Sequence, residues 1–328
     1  MNTLLWILLG LIALWMTLRF LPAGADWHRP LVELIALIDL LTAPLLAILI
    51  WTVLARAWPQ CLLALIELTL VSWQRLSYRL PPPADRTCQS SSEHGLNVMT
   101  LNCRFGRADP EKVVRCVQAY GIEVLALQEV KGKLLESLQA AGLNQLLPYL
   151  TQGTASPDDN GGYNAIFSAH QPVKASPSVL DLPAAAVPLI ELETSSGPIR
   201  VASVHPKSPQ RGARQWGMGI AALARLTHPP VPTIVMGDCN ATLQHPTFRA
   251  MLAESGLHDA SLHLKAGSHP TFPSASALPP LIEIDHILTD GDLVPQSMHA
   301  LRIPGSDHRA LVARLTHRTG PPPAISHG

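Results

Sequence analysis

The chain has 328 residues, more than one average domain, and zero formal net charge, so it carries no basic footprint for tight nonspecific nucleic-acid binding. Charged residues make up only 15% against 47% apolar, a balance unusual for a purely soluble protein. The five cysteines are scattered, offer neither a disulfide framework nor a metal spacing, and read as small buried hydrophobes.

The apolar excess lies in residues 1–80, which hold nine charged side chains: Arg19, Asp26, Arg29, Glu33, Asp39, Arg56, Glu67, Arg75 and Arg79. Met1 to Thr17 is an uncharged run close to the ~20 residues that cross a bilayer. A cleaved signal peptide is the alternative, but no basic residue precedes the run and apolar character resumes beyond it. Leu31 to Ala55 is long enough to span, with Asp39 as an intramembrane acid that needs a partner. Cys61 to Trp73 is a third, marginal run, set off by Pro59 and burdened by Glu67. Residues 1–80 are therefore expected to form a membrane module of two or three helices, three being preferred. Three spans with the amino terminus inside place the remaining chain outside the cytoplasm, although Arg19, Arg29, Arg75 and Arg79 then oppose the positive-inside bias. Two spans, or an inverted start, reverse that assignment.

Residues 81–95, opening on Pro81-Pro82-Pro83, read as a linker, and 317–328 as a disordered tail. Between them strand and helix signals alternate. Leu96 to Cys103 predicts a strand, and Asp109-Pro110 an N-cap with proline at N1 of a helix facing inward through Val113, Val114, Cys116, Val117 and Tyr120. A strand at Val124 to Leu127 and a helix at Lys131 to Ala141 follow. Tyr163 to Ser168, Val187 to Thr194 and Ile199 to His205 predict strands, the last two joined as a hairpin through Ser195-Ser196-Gly197. A helix over about 210–226, a strand at Thr233 to Met236, a helix at Thr247 to Leu252 and strands at Ile282 to Leu288 and Ala310 to Leu315 complete the pattern. The expected fold is α/β: two packed mixed sheets flanked by helices, over residues 96–316.

Five polar islands interrupt these apolar runs: Leu101-Asn102, Leu127-Gln128-Glu129-Val130, Val204-His205-Pro206, Gly237-Asp238-Cys239-Asn240 and Gly305-Ser306-Asp307-His308-Arg309. Such groups are costly to bury unless paired, metal-bound or lining a cleft. Phosphodiester hydrolysis needs a cation, an oriented water and donors for a crowded anionic transition state. Glu129 is a hard oxygen ligand suited to Mg²⁺, with Asn102 beside it to bind the metal or hold the carboxylate. Asp238, at a strand end, would position or deprotonate the water; Asn240 would reach a phosphate oxygen if the strand continued. His205 and His308 are candidate imidazole donors, and Asp285 and Asp307 are available to pair with them. His170, His245, His258, His263, His269, His286 and His299 read as structural or exposed. Arg211, Arg214 and Gln215 follow His205 closely enough to approach a phosphate, but an ordinary polar helix face is the preferred reading, and the 158–162 run reads as an acidic loop near the cleft.

These residues, in this order and with Tyr163-Asn164-Ala165-Ile166-Phe167-Ser168 and Ile284-Asp285-His286-Ile287 between them, resemble the endonuclease/exonuclease/phosphatase superfamily, and most its bacterial membrane-anchored branch. The resemblance implies a four-layer α/β sandwich with its site at the rim of two sheets. It implies metal contact through Asn102, Glu129 and Asp307, with Mg²⁺ as cofactor and Mn²⁺ as a substitute. It implies catalytic roles for His205, Asp238, Asn240, Asp285 and His308. Cys239 stands where an aromatic is usual and is expected to face the core, while Ala169-His170 replaces a basic residue that contacts substrate. The implied protein is a bacterial cell-membrane phosphoesterase acting on nucleic acid or a lipid headgroup, with no protein partner identified. A catalytically silent membrane scaffold is the competing class, and erosion of Glu129, Asp238 or His308 would mark it. None of the three is eroded.

Overall fold

The computed structural model describes residues 2–77, 95–154, 160–229, 231–265, 267–274 and 279–317. Residues 81–94 of the linker expected at 81–95, residues 318–328 of the tail expected at 317–328, Cys88, Asp158 and Asp159 lie outside the described residues, and His317 belongs to a strand and not to the tail.

Four helices come first: α1 (Asn2–Thr17), α2 (Leu31–Ala36), α3 (Thr42–Leu54) and α4 (Trp58–Ser77). Leu9, Ile12, Ile35, Ile38 and Leu45 are buried among them, whereas Leu4, Ile7, Leu11, Leu14, Ile50, Leu54, Leu62, Leu65 and Leu70 face outward. Among the described residues, one helical stretch, Thr3–Phe20, is long and apolar enough to cross a membrane; Ile38–Leu54 and Trp58–Trp73 are shorter apolar helices. The continuous helix expected from Leu31 to Ala55 is not formed. It stops after Ala36, and a 3-10 turn at Ile38–Leu41 turns the Asp39 carboxylate to the Gln244 amide, 2.7 Å away. A tertiary contact overrides apolar continuity there.

Two six-stranded sheets then form. Strand β1 (Leu96–Asn102) runs parallel to β2 (Val124–Val130) across the crossover helix α5 (Pro110–Ala119). The Asp109 side chain caps α5 by accepting from Lys112 N–H, as its spacing predicts. Helices α6 (Gly132–Ala140) and α7 (Leu143–Leu146) and strands β3 (Tyr149–Gln152), β4 (Tyr163–Ser168), β5 (Lys174–Ser176), β6 (Leu189–Thr194) and β7 (Gly197–Val204) follow. The expected hairpin joins β6 to β7 in the register Thr194↔Gly197. Helix α8 (Pro209–Ala222) carries the chain to β8 (Thr233–Asp238), parallel to β7. The remaining elements are α9 (Pro246–Ser255), β9 (His258–Asp259), α10 (Ala260–Leu264), β10 (Asp285–Thr289), β11 (Leu293–Arg302) and β12 (Arg309–His317).

The first sheet has the order β11-β12-β1-β2-β4-β3 and the second β5-β6-β7-β8-β10-β9. Their inner faces meet through Val98, Val124, Ala126, Ile166, Val201, Ile234, Met236, Ile287 and Leu311. Alternate residues face outward: Met99, Leu101, Leu125 and Leu127 pack under α5 and α6, and Ala202, Val204 and Val235 pack under Trp216, Ile220, Phe248 and Met251. Strands buried on both faces read as near-continuous apolar runs, which is why these segments were legible. The carboxyl ends of the parallel strands β1, β2, β7 and β8 meet the amino ends of the antiparallel strands β10 and β12 at one rim, with Asp285 opposite Asp238. That rim receives every polar island.

Candidate active site

Asn102 closes β1 with its side chain between two carboxylates. Its Nδ2 donates to Glu129 Oε1 at 3.1 Å and Asp238 Oδ2 at 2.9 Å, while its Oδ1 accepts from Arg104 N–H. Asn102 is buried, so it holds the carboxylates in place from behind. Glu129 sits where the β2–β4 pairing slips between Leu127 and Val130, with a left-handed φ of 54° that re-aims its side chain. Its Oε2 accepts from Phe105 N–H at 2.7 Å. Gly161, at φ 112°, makes room for it, since a Cβ there would lie 2.6 Å from the Glu129 carboxylate.

Asp238 ends β8 and is buried, with Oδ1 accepting from Asn240 N–H at 2.8 Å. Its Oδ2 lies 3.5 Å from His205 Nε2 and 3.8 Å from His308 Nε2. Burial opposes its charged form, but the His308 charge, the His205 ring and the Asn240 N–H outweigh it and hold the carboxyl well below the usual carboxylate range. The strand ends at Asp238, so the continuation on which the facing of Asn240 depends does not occur. A left-handed residue at Asn240, φ 49°, turns the chain, and Asn240 nonetheless lines the same cavity. Cys239 is buried in the outer core, as expected.

His308 Nδ1 donates to Asp285 Oδ2 at 2.8 Å, and its ring lies against Phe272. Burial disfavours the imidazolium, yet Asp285 and then Asp238 overcome it and raise the His308 pKa to about 10. Asp285 is fully buried, and its other oxygen has no hydrogen-bond partner. Ser306 Oγ donates to Asn102 O at 2.7 Å, tying the last island to the first. Asp307 lies at the rim, its Oδ2 3.3 Å from Arg104 Nε and its Oδ1 4.0 Å from His308 Nε2.

Glu129, His205, Asp238, Asn240, Asp307 and His308 line one cavity of about 230 Å³, with Asn102 and Asp285 behind it. Asn160, Arg104 and Arg211 were not recognised from sequence as parts of this site. Asn160 Nδ2 donates to His205 Nε2 at 2.9 Å and to Pro206 O, and its Oδ1 accepts from Arg211. Arg211 thus lines the cavity and is not on a plain solvent face. Only the Asp-Asn-Gly composition of the preceding loop pointed toward Asn160.

The donor set fits a hard divalent cation. Asp285, Asp238 and Asp307 approach the one buried imidazolium of His308, and Asn102 holds the Glu129 carboxylate beside Asp238, an excess of negative charge that a cation held by Glu129 and Asp238 oxygens would relieve. Asp238, Asp285 and His308 also lie within 4.8 Å of one another, but a protonated His308 bound to Asp285 has no lone pair to offer a metal. A second buried group, Asp259, Glu283 and His286, has its hydrogen bonds met internally. His286 donates to Asp259 and to Ala241 O, and Glu283 accepts from Ser261 Oγ and His269 N–H. His286 is thus structural, as expected, whereas His245 lines the candidate cavity.

No curated protein matches this chain by sequence. Among solved structures, an endonuclease/exonuclease/phosphatase family protein from Bacteroides thetaiotaomicron aligns with TM-score 0.55 and 16% identity, over 69% of this chain and 99% of that one. A protein of the same description from Beutenbergia cavernae aligns with TM-score 0.54 and 20% identity, over 71% and 74%. TDP2 from D. rerio, complexed with a single-strand DNA product, aligns with TM-score 0.53 and 15% identity, over 68% and 100%. At these identities the likeness establishes the fold alone, an α/β sandwich of two packed sheets. The model of the Endonuclease/Exonuclease/phosphatase family matches residues 99–308, nearly the whole sandwich, and the chain belongs to that family.

Proposed function

We propose that this chain is a membrane-anchored, divalent-metal-dependent hydrolase of phosphodiester bonds, acting by in-line attack of water without a covalent enzyme intermediate. The observation that carries the reading is the Asp285–His308 ion pair aimed at the same cavity as the Asn102-braced carboxylates Glu129 and Asp238. A bound Mg²⁺ or Mn²⁺, held by Glu129 with Asp238 and Asp307 nearby, would supply positive charge to a phosphate oxygen. Asp238, held so firmly ionised, is a weak base and serves mainly to orient the attacking water. His308, kept as imidazolium by Asp285, presents Nε2–H to the charge that develops on phosphorus-bound oxygens. His205 and Asn240 flank the place where those oxygens would sit. No Ser or Cys nucleophile stands beside a base in the cavity lining.

Anchoring is supported by the outward apolar faces of α1, α3 and α4, larger than a soluble surface leaves open. A headgroup ester at the bilayer suits both that anchor and the absence of a basic stripe, while the TDP2 complex keeps a nucleic-acid substrate in the comparison. The test is Mg²⁺-dependent turnover by the full chain in detergent, with DNA, RNA, phospholipid vesicles and inositol phosphates, beside His308→Ala. Turnover lost in the variant supports the reading. A folded chain inert on all four with either metal refutes it.

A further inference from the structure

The N-terminal segment does more than precede the sandwich. Val32, Glu33 and Ala36 of α2 line the same cavity as Glu129, Asp238 and His308. Helix α2 is seated there by buried polar contacts. His245 accepts Thr242 N–H at Nδ1 and donates from Nε2 to Val32 O at 2.9 Å, and the buried Asp26 carboxylate accepts Thr247 N–H at 3.0 Å and the Thr247 hydroxyl. Trp27 lies over Gly217 of α8 so closely that a Cβ there would come 2.1 Å from its ring. The wall is therefore preorganised before substrate arrives.

One oxygen of the Glu33 carboxylate pairs with Arg29 Nε; the other, Oε2, is buried and has no hydrogen-bond partner. A carboxylate oxygen excluded from water and left without a donor is costly, and a donor on a bound ligand removes the cost. We propose that α2 forms one wall of the substrate pocket and that Glu33 is a specificity-determining residue, accepting a hydrogen bond from a hydroxyl or ammonium group on the alcohol part of the phosphodiester. The inference rests on the phosphodiesterase reading above and narrows it. A second phosphate against Glu33 is repelled, so the substrate carries a polar or cationic alcohol on this side and not a polyanion.

The test compares p-nitrophenyl phosphodiesters of ethanolamine, glycerol and ethanol with the full chain in detergent. Glu33→Gln keeps the shape and removes the charge. The expected result is that the kcat/KM preference for the ethanolamine and glycerol esters over the ethyl ester falls about tenfold or more. Gly217→Leu, which displaces Trp27 and with it α2, is expected to lose the same preference. An unchanged preference in either variant, or an equal loss on all three esters, overturns the assignment while leaving the phosphodiesterase reading intact. Failure of the unaltered chain to cleave any of the three overturns the assignment alone if DNA, RNA, phospholipid or inositol phosphate is turned over, and overturns both readings if none of them is. Phosphatidylethanolamine vesicles against soluble glycerophosphoethanolamine show whether the favoured alcohol comes from a bilayer or from solution.

Discussion

Thr247→Val isolates the docking of the N-terminal segment, because it removes a hydroxyl and keeps the shape. Thr247 Oγ1 accepts the Gly24 N–H and the Trp27 Nε1–H, each at 3.0 Å, and donates to Asp26. Valine would leave two donors without an acceptor and a buried carboxylate short of one bond. At about 1 kcal/mol for each of these losses, the docked state weakens by about 3 kcal/mol, or roughly a hundredfold in its opening equilibrium. Hydrogen exchange on the full chain reads that equilibrium directly. Amides of Val32 and Leu34, which donate to His28 O and Pro30 O, are expected to exchange about 100-fold faster, while those of β1 and β2 stay as they were. Unchanged protection over residues 24–36 would refute the account of how the segment is held.

Asp285→Asn removes the largest influence that raises the His308 pKa, so that pKa falls and the alkaline limb of the pH–rate profile moves to lower pH; an unmoved limb would show that His308 does not act as the imidazolium. Gly161→Ala forces a Cβ against the Glu129 carboxylate, and the Mg²⁺ concentration for half-maximal activity is expected to rise about tenfold; an unchanged metal requirement would remove Glu129 from that role. Burial raises Glu283 to about 7, and Asp259 with Glu283 raises His286 to about 9 against the opposing effect of burial. Both folded pKa values exceed the unfolded ones, so their stabilisation is complete in acid and is lost as pH rises from about 4.5 through 9. Thermal melts over that range should show a falling Tm, and Glu283→Gln should flatten the portion below pH 7; a Tm that climbs from pH 5 to 9 would contradict both shifts.

The residues that were legible in the sequence are those that interrupt buried strands. Asn102, Glu129, His205, Asp238 and His308 each end or border an apolar run, and burial on both faces of β1, β2, β7 and β8 made the runs long enough to see. Edge strands were missed: β3, β5 and β9 are short, and β11 has an irregular register between Pro295 and Ser297 that breaks its alternation. The strand expected from Ile282 begins only at Asp285, because Ile282 instead bridges Phe272. Asn160 and Arg211 escaped because their role depends on His205 coming to them across a loop. Asp26, Trp27 and His245 escaped for a stronger reason. Their partners lie some 200 residues away in sequence, and no local period registers a contact of that range.

The seat of Trp27 on Gly217 makes the leading segment and the α8–α9 face of the sandwich complementary parts. Residues 19–39 complement Gly217, Gln244, His245, Thr247 and Arg249, so a leading segment lacking Asp26, Trp27 and Asp39 would not fill that socket. Grafting must move both halves together. A sandwich cut free at Gly95 would carry an open slot beside Gly217, lose the carboxylate that caps α9, and lose Val32 and Trp27 from the outer core that holds Trp216, Phe248 and Met251.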